Sequence, residues 1–388
     1  MFKLSKAELE KQGAAITTAE IMQQPDLWIE TQQIYHQIKE KIDSFLAIAS
    51  QEASGRIRVI FTGAGTSQYV GDTLRPFLNQ NGDHTRFDFV SIGTTDIVAA
   101  PLDYLQPDDW TILVSFARSG NSPESLAAVK IANQVVTHIR HITITCASEG
   151  KLAQQSKNDP NNLLLLMPSG ANDQGFAMTG SFSCMLLMAL LVFDKNHQKE
   201  QFIDEMAVLG REVIERESEI QKIIALDYQR IVYLGSGVFS GLTREASLKV
   251  LELTAGKTAT VFDSSMGFRH GPKSFVDNKT LVFGFLSNTA YTRQYDSDIL
   301  EEIAGDKIAL PVVAIGQRND KRVFPGTNFL FNTVSDPLPD GYAALPFLMV
   351  AQTVALLSSV KIGNRPDTPS PTGTVNRVVK GVTIHPYE

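Results

Sequence analysis

Val59-Ile60-Phe61-Thr62-Gly63-Ala64-Gly65-Thr66-Ser67 is a short apolar strand that runs into a glycine turn and then two hydroxyls. Two glycines let the backbone reverse tightly, and Thr66 or Ser67 can cap the helix that follows. The amides at the start of such a helix, together with those hydroxyls, suit an anion such as phosphate. A dinucleotide fingerprint needs a third glycine at position 68, which is Gln68. The stretch therefore reads either as a capped tight turn or as an anion loop made of Gly65, Thr66 and Ser67. In both readings it opens an α/β domain.

The surrounding texture agrees. Arg58 to Phe61, Thr111 to Ser115, His141 to Cys146 and Leu163 to Met167 are continuous apolar or β-branched runs separated by helical stretches. Strands of that kind are buried on both faces, as in a parallel sheet. The pattern then restarts 172 residues on, where Gly235-Ser236-Gly237 follows Ile231 to Leu234. The same offset takes Ser115 to Ser287, after Leu281 to Leu286, and Thr143 to Ile315, inside Pro311 to Ile315. It slips near the end, matching Leu163 to Met167 with Phe329 to Thr333. Apolar helices, Thr179 to Phe193 and Ala344 to Val360, close the two halves. One order repeated at one offset indicates a duplication.

The expected organisation is an N-terminal helical segment (1–50), a first α/β domain (51–197), a charged linking helix (198–225), a second α/β domain (226–363) and a closing tail (364–388). In the first segment Ile34, Ile38, Ile42, Phe45 and Ala49 recur at helical spacing, and Pro25 separates them from a shorter helical stretch around Ala14 to Met22. Pro366, Pro369 and Pro371 make the start of the tail a loop. The 388 residues are 43% hydrophobic and 20% charged, as in an ordered globular chain. Lys and Arg number 35 against 42 Asp and Glu, and the net charge of -7 disfavours nucleic acid as a partner. The apolar run Ser181 to Phe193 falls short of the ~18 residues of a membrane span, so no membrane-crossing segment is expected. Met1 to Lys6 leads into charge, and Cys146 and Cys184 sit inside apolar runs as reduced core thiols. Both features point to the cytoplasm.

A second loop, Ala117-Arg118-Ser119-Gly120-Asn121-Ser122-Pro123-Glu124, also follows a strand and opens a helix. Ser122 is a clear N-cap before a proline at the first helical position. Ser119 and Ser122 supply hydroxyls, and Arg118 supplies a charge that pairs with phosphate. Parallel sheets hold ligands at the carboxyl ends of their strands, where both loops lie. No Gly-Lys-Ser/Thr phosphate loop is present, which argues against nucleotide hydrolysis.

The second half carries different chemistry. In Thr243-Arg244-Glu245-Ala246-Ser247-Leu248-Lys249-Val250-Leu251-Glu252, helical spacing puts Glu245, Lys249 and Glu252 on one face. That face is either a solvated ion-pair stripe or, because the helix follows the second glycine turn, a carboxylate beside a lysine that moves protons. Further on lies Arg269-His270-Gly271-Pro272-Lys273. His270 sits in a loop braced by glycine and proline, as either a solvated or a catalytic histidine. His138 and His141 straddle a helix end and a strand and carry no such signal. No His, Cys and carboxylate set has metal-ligand spacing, and no nucleophile motif occurs.

Together these motifs resemble the sugar isomerase (SIS) family, in which two such domains occur in tandem. The resemblance runs from Arg58 to Ile384. It takes in the isomerase half of glucosamine-6-phosphate synthase and, more closely, the AgaS-type group of galactosamine-6-phosphate deaminase/isomerases and tagatose-6-phosphate ketose/aldose isomerases. It implies that Thr66, Ser67, Ser119 and Ser122 hold a sugar phosphate. Where the synthase pattern reads Ser-Gln-Ser-Gly-Glu-Thr, this chain has Ala117-Arg118-Ser119-Gly120-Asn121-Ser122, one hydroxyl fewer and an arginine more. Glu252 matches the base that moves a proton between C1 and C2, with Lys249 and Glu245 as its helix-face partners. His270 matches a ring-opening histidine delivered by a neighbouring subunit, which implies a homodimer. Lys380 matches a lysine of the closing C-terminal segment. The chemistry implied needs neither metal nor redox cofactor.

The synthase carries an N-terminal glutaminase, whereas here residue 2 is Phe2 and about sixty residues precede the first glycine loop. Release of ammonia from galactosamine 6-phosphate, with isomerisation to tagatose 6-phosphate, is therefore the expected direction. Plain ketose/aldose isomerisation is the first alternative and a non-catalytic sugar-phosphate sensor the second; a nicotinamide-dependent enzyme is the weakest rival.

Overall fold

The computed structural model describes residues 1–318, 324–332, 336–373, 375–378 and 381–388. The chain forms two compact units. One comprises Asp26–Asp173, Met178–Glu200 and Thr374–Glu388; the other comprises Met1–Pro25, Gln174–Ala177 and Gln201–Gly373.

The first unit holds β1 (Ile57–Thr62), β2 (Phe87–Ser91), β3 (Trp110–Ala117), β4 (His138–Thr145) and β5 (Asn162–Leu166). They pair in the order β2-β1-β3-β4-β5, all parallel. The second unit holds β6 (Arg230–Leu234), β7 (Ala259–Asp263), β8 (Thr280–Phe285), β9 (Val312–Gln317) and β10 (Thr327–Phe331). Read from β7, its order is β7-β6-β8-β9-β10, again all parallel. The two sheets thus share one topology, as the repeat predicts. The sequence reading missed β2 and β7, whose starts, Phe87 and Ala259, also stand 172 apart. Both are partly exposed edge strands, and in β2 Asp88 and Ser91 interrupt the apolar run. The last strand comes earlier than expected, and Thr333, its expected end, lies outside the described residues.

Each sheet is covered by helices whose apolar side chains fill the space against it. In the first unit Ile60 and Leu113 of the sheet meet Ala128, Ile131 and Ala132 of the helix Pro123–Val135. In the second, Val232 and Val282 meet Ile299, Leu300 and Ile303 of the helix Ala290–Gly305. Burial of such side chains contributes roughly 1.5–3 kcal/mol each. The helix Gly180–Phe193 is buried along its whole length. Its N-terminus is closed by Asp173, whose carboxylate accepts from the amides of Thr179, Gly180 and Ser181.

Two expectations need correction. The helix Asp340–Lys361 has 22 residues and is long and apolar enough to cross a membrane, which the sequence reading did not expect of any segment. It is buried inside the protein from Gly341 to Ser359, so it is a core helix. Gln352, Thr353, Ser358 and Ser359 break its apolar run. The three hydroxyls donate to the carbonyls of Met349, Val354 and Leu253, and Gln352 Oε1 accepts from Gln24 Nε2 at 2.6 Å, while Gln352 Nε2 is buried without a hydrogen-bond partner among the described residues. The single linking helix expected over 198–225 is instead a 3-10 turn, Lys199–Gln201, followed by helices Phe202–Glu215 and Glu217–Ile224. The break falls at Arg216, whose guanidinium pairs with Glu212 at 2.5 Å and Glu219 at 2.8 Å and lies over the Phe329 ring.

The N-terminal segment is helical, as Lys6–Gln12, Ala15–Met22 and Gln24–Glu52, with Pro25 in the first turn of the last. The helix Ala15–Met22 has no cap of its own; Asp367 of the tail accepts from the Ile16 and Thr17 amides at 3.0 and 2.8 Å.

Candidate functional site

In the first unit β1 and β3 are neighbours, with Thr62 opposite Ser115, so the loops that follow them leave the same end of the sheet. Gly63 is obligatory: a Cβ there would lie 2.5 Å from the Ser67 backbone. Gly65 takes φ 55°, a region glycine enters without strain. It is also the N-cap of the helix Thr66–Asn81, and no side chain caps that helix. The expectation that Thr66 or Ser67 would cap is thus corrected: both are already inside the helix, and both are buried. The amides of Ser67 and Gln68 bond back to the carbonyls of Ala64 and Gly65, so fewer backbone donors are left for an anion than the motif promised. Ser67 Oγ lies 3.9 Å from Met178 Sδ.

In the loop after β3, Ser119 and Ser122 are half-buried and Gly120 takes φ 64°. The Asn121 amide donates to Ser119 Oγ at 3.3 Å, and Asn121 Oδ1 accepts from the Lys151 amide at 3.1 Å. Ser122 stands at the N-cap before Pro123, as expected, but its hydroxyl makes no capping bond. The Arg118 side chain is buried and donates through Nη2 to the Arg377 carbonyl at 2.6 Å.

In the second unit the duplicated turn has the same backbone, with Gly237 at φ 58° ahead of the helix Val238–Leu253. Its surroundings differ. Ser236 Oγ donates to Asp296 at 2.6 Å, and Asp296 also accepts from Ser265 Oγ at 2.5 Å and the Ser287 amide at 3.0 Å. Burial raises the Asp296 carboxyl above its ordinary range, with the serine bonds working against the shift. This carboxylate, which no motif announced, ties the second turn to the segments around Ser265 and Ser287.

The helix after that turn carries the three charges as spaced. Lys249 Nζ lies 3.2 Å from Glu245 Oε1 and 2.6 Å from Glu252 Oε2. The solvated-stripe reading does not hold, because the Glu245 and Lys249 side chains are only 0% and 1% exposed. Glu252 keeps 23% of its side chain accessible. Burial alone would lower the Lys249 pKa, yet the two carboxylates overcome it and hold it above the usual lysine value. An ammonium clamped between two carboxylates stays charged and fixes the outer one in direction.

His270 ends the short 3-10 turn Gly267–Arg269 after β7 and is exposed. Its neighbours anchor the loop. Arg269 Nε meets Glu302 at 2.6 Å, and Lys273 Nζ meets Glu302 at 2.5 Å and Asp306 at 2.7 Å. His138 stacks on Trp110, and His141 is buried beside Asn133. Lys380 lies outside the described residues.

Similarity to known proteins agrees with this architecture. The SIS domain family model matches residues 54–193. The D-galactosamine-6-phosphate deaminase AgaS of Escherichia coli is 44% identical over 96% of this chain and 96% of its own length. That of a Shewanella species is 39% identical over 99% of this chain and 95% of its own. The crystal structure of tagatose-6-phosphate ketose/aldose isomerase from Escherichia coli superimposes with a TM-score of 0.85 at 40% identity, covering 96% of each chain. With that identity sustained across both sheets and the helices between them, the chain belongs to the AgaS-type D-galactosamine-6-phosphate deaminase family of SIS-domain proteins.

Proposed function

We propose that this protein is a D-galactosamine-6-phosphate deaminase/isomerase, which converts its substrate and water into tagatose 6-phosphate and ammonia. The observation that carries the chemistry is Glu252, a partly accessible carboxylate aimed by a buried lysine that is itself held by Glu245. Glu252 takes the proton from C2 of the open-chain sugar and returns it to C1 through an enolamine; water then hydrolyses the ketose imine and ammonia leaves. Thr66, Ser67, Ser119 and Ser122, with the Arg118 charge, hold the phosphate. Binding energy at that remote group orients the reacting carbons. His270 assists ring opening by carrying the ring-oxygen proton, and Lys380 belongs to the closing tail.

His270 acts on a second copy of the chain in a homodimer. Its exposure supports this, as do exposed Leu251, Phe262 and Met266 in the same unit, apolar groups of the kind that interfaces cover. The compartment is the cytoplasm, consistent with two free, buried cysteines.

Ammonia release with galactosamine 6-phosphate, and with glucosamine 6-phosphate alongside, tests the assignment. Ammonia from the galacto compound alone is expected. A second reading, isomerisation without deamination, is supported by the 40% identity to the tagatose-6-phosphate ketose/aldose isomerase structure. Interconversion of hexose phosphates without ammonia would establish that reading and overturn the first.

A further inference from the structure

The arginine that distinguishes the second loop is bound to the chain's own C-terminal segment. Arg118 Nη2 donates to the Arg377 carbonyl at 2.6 Å. Arg377 is in turn held by its side chain, which donates from Nε to the Asp173 carbonyl at 2.9 Å, from Nη2 to that same carbonyl, and from Nη2 to Asn172 Oδ1 at 3.4 Å. Asp173 is completely buried. Its carboxylate accepts from the amides of Thr179, Gly180 and Ser181 and from the hydroxyls of Thr179 and Ser181. The carbonyl that holds Arg377 is therefore as fixed as the buried helix Gly180–Phe193. Further along, the Tyr387 carbonyl accepts from Gln134 Nε2 at 3.4 Å, and its ring packs on the core under the helix Pro123–Val135.

A backbone carbonyl orients a guanidinium without neutralising it, because the carbonyl has no net charge. Arg118 carries a formal charge beside Ser119 and Ser122, and the Arg377 carbonyl is one of the groups that hold its planar fork in place. We propose that Arg377 is a positioning residue: by locking the C-terminal segment to Asp173, it fixes Arg118 for the phosphate of the substrate. This rests on the reading of the Ser119–Ser122 loop as the phosphate-holding loop.

The test compares R377A, R377K and S119A in the full-length protein. The readouts are kcat and KM for galactosamine 6-phosphate, the inhibition constant of inorganic phosphate, and the melting temperature. R377A is expected to raise both KM and the phosphate inhibition constant about tenfold while kcat changes less than about threefold. R377K, which keeps a donor for the Asp173 carbonyl, recovers part of that loss. If phosphate inhibition is unchanged in R377A but weakened in S119A, the positioning role is overturned and the phosphate loop stands. If S119A also leaves it unchanged, the phosphate reading fails and takes the proposal with it. A lower melting temperature with unchanged KM and inhibition makes Arg377 merely structural and overturns the proposal. If R377A does not fold, R377K decides: a phosphate inhibition constant equal to that of the unaltered protein overturns the role.

Discussion

Glu252 and Lys249 lie three residues apart on one helix yet have opposite surroundings, and the difference sorts their substitutions. Glu252 keeps access to solvent, so Glu252→Gln removes a proton acceptor without leaving a hole. Loss of a general base costs about 10²–10⁴ in rate. E252Q is therefore expected to lower kcat by about 10³ while inorganic phosphate inhibits as before; turnover at the unaltered rate would remove Glu252 from the mechanism. Lys249 is the buried member, held by two carboxylates. Lys249→Met removes the buried cation between two carboxylates, and breaking a buried ion pair costs about 3–5 kcal/mol. Denaturant unfolding should show that loss, and the double variant E245Q/K249M should regain a good part of it. A K249M protein as stable as its parent would mean the pair contributes nothing. Charge spacing made this face legible, but burial did not show in the sequence, because Leu248 and Val250 surround a solvated pair and a buried one alike.

The loop that carries His270 owes its shape to the element beside it. Arg269 and Lys273 flank the histidine, and both meet Glu302 on the helix Ala290–Gly305. The two cations hold the Glu302 carboxyl below its usual range. A carboxyl lowered on folding gives stability that is present above its ordinary pKa and lost as pH falls through the lowered one. The brace is thus complete at neutral pH, and Glu302→Gln imitates its acid state. Exposed ion pairs contribute little to stability, so the melting temperature should move less than about 3 °C. A misplaced catalytic group costs far more, and kcat/KM should fall about tenfold at pH 7. Unchanged kcat/KM in E302Q would show that the brace does not position His270. The motif gave Arg269 and Lys273 by type, but their shared partner lies 33 and 29 residues away. The edge strand β2 was illegible for a local reason: Asp88 and Ser91 interrupt its apolar residues.

At the scale of the whole chain, the 172-residue offset recovered a true duplication, down to identical strand order, because buried parallel strands and obligatory glycines leave little freedom in sequence. What the copies have lost is harder to read. Ser236 stands where the first turn has Ala64, and only the fold reveals that it serves Asp296. Histidine shows the same limit. His141 carried no functional signal, yet it has a consequence for the stability of the first sheet. It is 3% exposed, its Nε2 donates to Asn133 Oδ1 at 2.9 Å, and its Nδ1 is buried without a hydrogen-bond partner among the described residues. Burial lowers its pKa to about 4, with Asp159 opposing more weakly. In the unfolded chain it titrates near 6.5, so between those values the unfolded state binds the extra proton. Stability is therefore fully present above pH 6.5 and declines as pH falls toward 4, by up to about 3 kcal/mol. His141→Gln keeps an amide donor near Nε2 and removes the titration. Circular dichroism of acid unfolding should give H141Q a shallower loss of stability between pH 6.5 and 4 than the unaltered protein. Parallel curves would mean that acid instability arises elsewhere, and that His141 is protonated at no cost to the fold.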